Sequence, residues 1–508
     1  MDIETDLEVV TTSLATTNHP VPGTLKATIR AHIDSEKEQL VLLDEEMHRA
    51  QAPLNEEGRH TEALLEKLRQ QHTHRSTQLE RYQMALAPHR DLPREILSEI
   101  FLWSLAEWGV PVPGSYTHAP WNIIRVCSLW RQLAFSMPKL WARIDFHMGG
   151  RGFFEPDYID GVPGIIRASK NCLLSIRVDT NSDRLMRQTM AVINSDGHRL
   201  RELALRGYFV KPFLELPAAL AKALEIVTID SEASVTDLSV LKGSKLRELT
   251  NHMFITYSSI IQLPLAQLTA LHLSYSHLHP RAALSILRQC PSIIQFTLGL
   301  SDDGDDVPPD TTPCLLPELT HLNLLPQQCQ ARFDYSRCIK SLVLPRLTHL
   351  VLLHLHPDPW WADACNQWIT QCGTLQFLEL DVPISSPHLE ELIRALPLLT
   401  ELSVPRGTFS ASCLEGVASG ALLPRARKLR CMVETLDSFY AHLDMLERRK
   451  SDSSHAAHMA EARFITKSSL KESQLGGSAR YKELKKLGWK IFVMRYELLQ
   501  IGPGYAWF

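Results

Sequence analysis

Apolar positions recur along this chain in two rhythms, and the change falls near residue 172. The first rhythm is helical. Ile29, Ile33, Glu36, Leu40, Leu43, Met47, Ala50 and Leu54 step by alternating fours and threes, the seam of a heptad helix. Pro53 is expected to kink or break it. The pattern resumes more weakly at Leu64, Leu68, Leu79, Tyr82 and Leu86, with polar Thr61, Gln71 and Arg75 at seam positions, and Pro88 ends it. Two readings fit: a coiled coil that pairs two copies of the chain, or a helix pair folding back at Pro53. The segment before it, residues 1–23, is polar and Thr-rich, ends in HPVPG and reads as a disordered tail.

A second helical stretch follows at once. Leu92-Pro93 sets an extended entry, and Pro93 suits a first helical turn, where its missing N–H costs nothing. Ile96, Leu97, Ile100, Phe101 and Leu105 recur at helical spacing as one apolar face. Ile123, Val126, Cys127, Trp130, Leu133 and Ala134 read as one further helix; Pro138 ends it and Leu140-Trp141 packs back. So small a module holds little core of its own, so some of its apolar residues are expected to meet a partner. On periodicity alone it is equally a plain helical hairpin with Trp130 and Trp141 as core.

The pieces LPREILSEIF and VCSLWRQLAFSMPKLWARI, in this order, resemble the F-box motif as found in mushroom-forming fungi. The matching positions are Leu92, Pro93, Glu95, Ile96, Leu97, Ile100 and Phe101, then Val126, Cys127, Trp130, Arg131, Ala134, Pro138, Leu140 and Trp141. The departure is EWGVPVPGSYTHAP, long and polar for an inter-helix loop. The resemblance implies docking to a Skp-family adaptor, and through it to cullin. It points to Leu92, Pro93, Ile96, Leu97, Ile100, Val126, Trp130 and Trp141 as adaptor contacts.

From about residue 172 the rhythm becomes Leu-x-x-Leu-x-Leu. It runs as LRELAL (200–205), LEIVTI (224–229), LTALHL (268–273), IIQFTL (293–298), LTHLNL (319–324), LTHLVL (347–352), LQFLEL (375–380) and LLTELSV (398–404). Weaker copies are LLSIRV (173–178), LRELT (246–250), IKSLVL (339–344) and LRCMV (429–433). Starts lie roughly 22 to 30 residues apart, the spacing of leucine-rich repeats. Stretches such as RAALSILRQCP and SPHLEELIRALP between the phrases carry helical apolar faces. A stack of such units buries a continuous core that no single unit could hold. A generic parallel α/β sheet would show the same alternation of strand and helix.

Period two then predicts a surface. In LTHLNL, Leu322 and Leu324 turn inward while His321 and Asn323 face the concave side. Carried along the array, this places Arg206, Asp230, His272, His349, Glu379, Asp381 and Glu401 on the same side. That face is expected to bind the client, its acidic later rows favouring a basic patch. Polar, Ser-rich residues 447–480 read as a flexible insert, and 481–508 as a helix and strand capping the array.

Composition narrows the chemistry. Net charge is −4 over 508 residues, against non-specific nucleic-acid binding as the main task. The ten cysteines stand singly, with no C-x-x-C, as suits reduced thiols in cytoplasm or nucleus. No secretory leader and no membrane-spanning run is read. Neither G-x-x-x-x-G-K-[ST], G-x-G-x-x-G nor H-E-x-x-H supports a nucleotide or zinc site. His272, His277, His279, His354 and His356 lack spaced partners, Cys365 and Cys372 read as core thiols, and SDDGDDVPPD lacks the closing Glu of a calcium loop. No cofactor or metal is expected.

The expected order is thus tail (1–23), coiled-coil-like helices (24–88), F-box (89–146), irregular leucine-rich-repeat solenoid (172–446), insert (447–480) and cap (481–508). In fold class this is a mainly α N-terminal part followed by an α/β solenoid. By resemblance it is the non-catalytic substrate-recognition subunit of an SCF-type ubiquitin ligase. The alternative is a protein-binding scaffold working without ubiquitin transfer. Pairing through the N-terminal helix remains open.

Overall fold

A computed structural model describes residues 20–51, 58–106, 109–112, 114, 117–147, 161–196, 199–207, 213, 215–231, 237–301, 312–326, 339–353, 367–451, 457, 459–466 and 478–495. Outside them lie most of the expected tail, Pro53, the acidic loop after Ser301, His354, His356, Cys365 and the end of the expected cap. The chain divides into two compact units, Met1–Arg177 and Val178–Phe508.

In the first unit, helices α1 (Gly23–Gln51) and α2 (Gly58–Ala85) pack against each other. They run antiparallel, because Tyr82 meets Ile29 and His32 near one end while His72 lies 3.4 Å from Asp44 towards the other. The heptad seam therefore closes within one chain. Ile29 and Leu43 are buried, and Ile33, Glu36, Leu40, Met47 and Ala50 are half-buried between them. On α2 the seam runs through Leu65, Leu68, His72, Arg75, Leu79 and Tyr82. Leu64 and Gln71, placed on it from the sequence, are exposed. The packed face instead takes Leu65 and His72 one position on, with Arg75 3.1 Å from Glu36 across the hairpin and His72 reaching exposed Asp44.

The helical module follows without a break. Arg90 is buried and donates from Nε to the Met84 carbonyl at 2.7 Å, while Lys26 pairs with Asp91 at 2.7 Å. Helix α3 (Arg94–Trp103) starts behind Pro93. The expected second helix is two: α4 (Ile123–Val126) and α5 (Ser128–Ser136). Cys127 between them is fully extended, and its Sγ caps α5 by accepting from the Trp130 N–H at 3.4 Å. Strands β1 (Val110–Val112) and β2 (Arg143–His147) pair in parallel, and helix α6 (Val162–Ala168) precedes β3 (Leu174–Asp179) at the division between units.

In the second unit, strands follow one another in sequence order: β4 (Leu200–Arg206), β5 (Ile226–Asp230), β6 (Glu248–Asn251), β7 (Ala270–Leu278) and β8 (Gln295–Leu300). Two short strands, β9 (Cys314–Leu315) and β11 (Leu342–Val343), stand apart as a separate parallel pair. Between and after them the main sheet continues through β10 (His321–Pro326), β12 (His349–Leu352), β13 (Phe377–Leu380), β14 (Glu401–Val404), β15 (Lys428–Val433), β16 (Glu461–Thr466) and β17 (Lys490–Arg495). Every neighbouring pair with a resolved register is parallel.

The register makes the repeat physical. Leu203, Val227, Leu249, Leu271, Phe296, Leu322, Leu350, Leu378, Leu402, Leu429, Ala462 and Ile491 form one unbroken row, all buried. The first leucine of each phrase (Leu224, Leu246, Leu268, Leu319, Leu347, Leu375, Leu399) is fully buried beneath the turn entering its strand. Burial of each such side chain contributes about 1.5–3 kcal/mol, so the ladder dominates the unit's stability. Crossing segments carry helices whose apolar faces complete the core, as Leu389, Leu392 and Ile393 do within Ser386–Ala395. Gly207 (φ +133°) admits no side chain, since a Cβ there would lie 1.8 Å from the Thr180 carbonyl oxygen.

Two sequence expectations change here. IKSLVL (339–344) gives no rung of the main sheet: it supplies β11, and the following LTHLVL supplies the rung. Within the expected insert, the helix Leu436–Ser451 runs on past residue 447 and Glu461–Thr466 forms β16. Ala462 and Phe464 stand there in place of the leucines. Arg449, fully buried, joins this region by donating to the carbonyls of Val417 (2.8 Å), Leu423 (2.7 Å) and Ala457 (3.1 Å).

Candidate protein-binding surfaces

Two surfaces stand out, one in each unit. On α3 the apolar residues divide between two sides of the helix. Leu97 and Phe101 are buried, Phe101 against the Trp130 ring at 5.0 Å between centroids. Ile96, Ile100 and Trp103, spaced four and three apart, face solvent, Trp103 at 85% exposure. Val126 on α4 and Phe135 on α5 are also exposed. So many large apolar side chains left in water on one small module mark an interaction surface.

Of the eight residues expected to meet the adaptor, Pro93, Ile96, Ile100 and Val126 are exposed, and Leu92 and Trp130 are half-buried. Leu97 and Trp141 are buried and cannot serve. Trp141 stacks on Phe135 at 5.0 Å, meets Trp121 edge-on, and donates from Nε1 to the Ala134 carbonyl at 2.8 Å. It is the module's keystone. Trp103 and Phe135 were missed from the sequence, although Ile96, Ile100 and Trp103 share one stripe of a helical wheel.

On the solenoid, strand register puts Gln295, His321, His349, Phe377, Glu401, Lys428, Glu461 and Lys490 in one outward row. Two residues further along run Thr250, His272, Thr297, Asn323, Val351, Glu379, Ser403, Arg430, Arg463 and Phe492. Of the nine residues expected on the concave side, eight stand in the strands at positions alternating with the leucine ladder, and Asp381 directly follows β13. They divide by chemistry. Arg206 and Asp230 pair at 3.4 Å. His272 Nδ1 meets Thr297 Oγ1 at 2.9 Å, and Asn323 donates to the same oxygen at 3.2 Å. His321 and His349 stack with centroids 4.0 Å apart, and His349 stacks on Phe377 at 5.7 Å.

The acidic rows differ from expectation. Glu379 is buried and accepts from Arg430 Nη1 and Ser403 Oγ, both at 3.1 Å. Asp381 pairs with Arg406 at 3.0 Å and Glu401 with Lys428 at 2.9 Å. Burial pulls the Arg430 guanidinium below its ordinary range, against the opposing pull of Glu379. These carboxylates are neutralised within the chain, so they form no acidic patch awaiting a basic client. Aligning the phrases would have shown it, because Glu379, Ser403 and Arg430 occupy the same position in successive repeats.

The buried thiols are poor nucleophiles: burial raises Cys372 to about 11 and Cys290 and Cys413 to about 12. Among the described residues no three His, Cys, Asp or Glu side chains gather as a metal site. No helix among them is long and apolar enough to cross a membrane.

The second unit is thus an α/β repeat solenoid of leucine-rich-repeat type. A search of solved structures returns, among others, a leucine-rich-repeat protein of Leptospira interrogans at 14% identity and TM-score 0.32, covering 71% of this chain and 97% of that one. No protein-family model matches the chain. No curated protein matches it.

Proposed function

We propose that the chain is the substrate-recognition subunit of an SCF-type ubiquitin ligase: its F-box-like module docks a Skp-family adaptor, through it cullin, and its solenoid holds a client protein. The observation that carries this reading is the exposed stripe Ile96, Ile100 and Trp103 behind the extended Leu92-Pro93 entry. That stripe belongs to the stretch that resembles the F-box, and a module that small gains little by exposing so much apolar surface without a partner. The subunit does no bond chemistry itself; it contributes proximity and orientation. Its place of work is the cytoplasm or nucleus.

The test is co-purification of the full chain with a Skp-family adaptor. Ile96→Asp with Ile100→Asp is expected to abolish capture while leaving the circular-dichroism melt unchanged. Capture that survives the double substitution overturns the assignment. Client turnover that depends on this contact separates a ligase receptor from a scaffold without ubiquitin transfer.

A further inference from the structure

The helix Ala479–Lys486, which precedes β17, carries more positive charge than its own stability favours. It holds Arg480, Lys482, Lys485 and Lys486 against a single carboxylate, Glu483. Arg480 is taken up by Asp444 and Glu447 of the helix Leu436–Ser451. The three lysines are exposed, and none of them forms an ion pair among the described residues. By helical geometry they fall within a sector of about 100°, beside the buried Tyr481 and Leu484, and Glu483 falls outside it. Lys482 has Lys485 three residues on and Lys486 four on, spacings at which like charges destabilise a helix. The helix dipole favours the two lysines of the last turn but not Lys482, nearer the start. In a chain of net charge −4, a cluster that works against its own helix is accounted for by a partner that takes up the charge.

Two ring contacts limit the freedom of these cations. Lys485 Nζ lies 5.3 Å from the centroid of the Tyr481 ring, and Lys450 Nζ, from the end of the helix Leu436–Ser451, lies 6.0 Å from that of Trp489. The arginines beside Lys450 are already engaged, Arg448 by Glu415 and buried Arg449 by backbone carbonyls. Next to the lysines stands Leu487, 60% exposed, where Gly488 at φ +88° turns the chain back into β17.

We propose that this lysine face is a docking surface for an acidic polypeptide segment of another protein, with carboxylates at alternate positions and an apolar residue beside them. Charge is complementary, and the spacing agrees. Lys482 and Lys486 are about 6 Å apart along the helix axis, and alternate side chains of an extended chain are about 6.6 Å apart. Leu487 gives the apolar residue a contact that a phosphate backbone would not use. Nucleic acid fits less well for a second reason: Tyr481 and Trp489, the rings on which a base would stack, are 8% and 5% exposed. A bilayer fits less well because the helix turns Tyr481 and Leu484 inward and leaves one leucine to insert. Tyr481 packs on Phe439, which meets the ladder residue Phe464, so the lysine face lies on the ladder side of the sheet. It is separate from the outward strand rows, and the proposal does not rest on the ligase reading.

The experiment is fluorescence anisotropy of the full chain, at low ionic strength, with the labelled peptide Gly-Glu-Ser-Glu-Ser-Glu-Leu-Gly. Saturable binding is expected, about tenfold weaker for the peptide with glutamine in place of each glutamate. Lys482→Gln with Lys486→Gln should weaken binding about fivefold, while the thermal midpoint holds or rises because repulsion within the helix is relieved. Leu487→Ser should weaken binding without changing its salt dependence. Equal binding of the two peptides, undiminished binding by the lysine variant, or a lowered midpoint in that variant overturns the proposal. So does tighter binding of oligothymidylate or of phosphatidylserine vesicles than of the acidic peptide. Adaptor capture is expected to be the same in all these variants, so failure here and failure of the ligase reading are told apart.

Discussion

The helical module gathers its exposed apolar side chains on one short helix and its neighbours, whereas the solenoid is ordered by a buried ladder. The solenoid packs its leucines into register and settles its outward charges in pairs, as with Glu379–Arg430 and Asp381–Arg406. The helical unit leaves Ile96, Ile100, Trp103, Val126 and Phe135 in water and places an ion pair, Arg75–Glu36, in its helix seam. The contrast teaches where recognition energy resides. An exposed apolar stripe offers binding energy through area and tolerates little polarity. On the outward strand face, in contrast, Glu379, Asp381 and Glu401 already have their charges paired within the chain.

The largest expected effects lie in the ladder. Phe296→Ala removes a fully buried ring between Leu271 and Leu322, and should cost about 3–5 kcal/mol in urea unfolding. Ile100→Ala, of similar apolar character but exposed, should stay within about 0.5 kcal/mol. If the two cost the same, the division into a stability surface and a binding surface is wrong. Next in size is Glu379→Ala, which leaves Arg430 buried without its carboxylate and should cost about 3 kcal/mol. Adding Arg430→Met should recover most of that loss, because neither member of the pair is then left buried and unpaired; a double variant no better than the single would break the account.

A smaller effect depends on pH. His442 is fully buried, donates from Nδ1 to the Ser438 carbonyl at 2.7 Å, and lies edge-on to Phe409 and Phe464. Burial lowers its proton affinity in the folded state. The unfolded chain therefore binds this proton more readily. The resulting stability is present above the ordinary histidine range, near pH 6.5, and is lost as pH falls below it, by at most about 1.4 kcal/mol per pH unit. His442→Phe should flatten that slope in denaturation between pH 7 and 5; an unchanged slope would assign it to other groups.

The solenoid was legible because a period of two, repeated with leucine, has few other meanings. It failed where the residues departed from leucine, as at Ala462 and Phe464 in β16, or where two apolar phrases crowded together, as IKSLVL did before LTHLVL. The outward strand positions were legible from period two, whereas their charge pairing shows only once successive phrases are aligned in register. Glu379 and Arg430 are 51 residues apart and meet only through register. In the helical module the spacing was right but the sidedness was not. Ile96, Leu97, Ile100 and Phe101 look alike in sequence, and only packing sorts the inward pair from the outward one. Likewise, one apolar run hid the break at Cys127, since nothing in its composition announces an extended residue.

The smallest effect tests the hairpin. Arg75 and Glu36 sit at seam positions, their side chains 37% and 13% exposed, so part of their attraction is screened and part of the desolvation cost remains. Replacing both by leucine should leave stability unchanged or raise it by about 1 kcal/mol. It should cost specificity. With the pair gone, Ile33, Leu40, Leu79 and the two new leucines would offer an almost wholly apolar seam, as ready to take a second chain as its own partner helix. Sedimentation equilibrium should then show self-association in Glu36→Leu with Arg75→Leu beyond that of the parent chain. A variant that gains stability without any added self-association would mean that the length of the connection between the helices, rather than the ion pair, selects the folded-back hairpin over the paired coil.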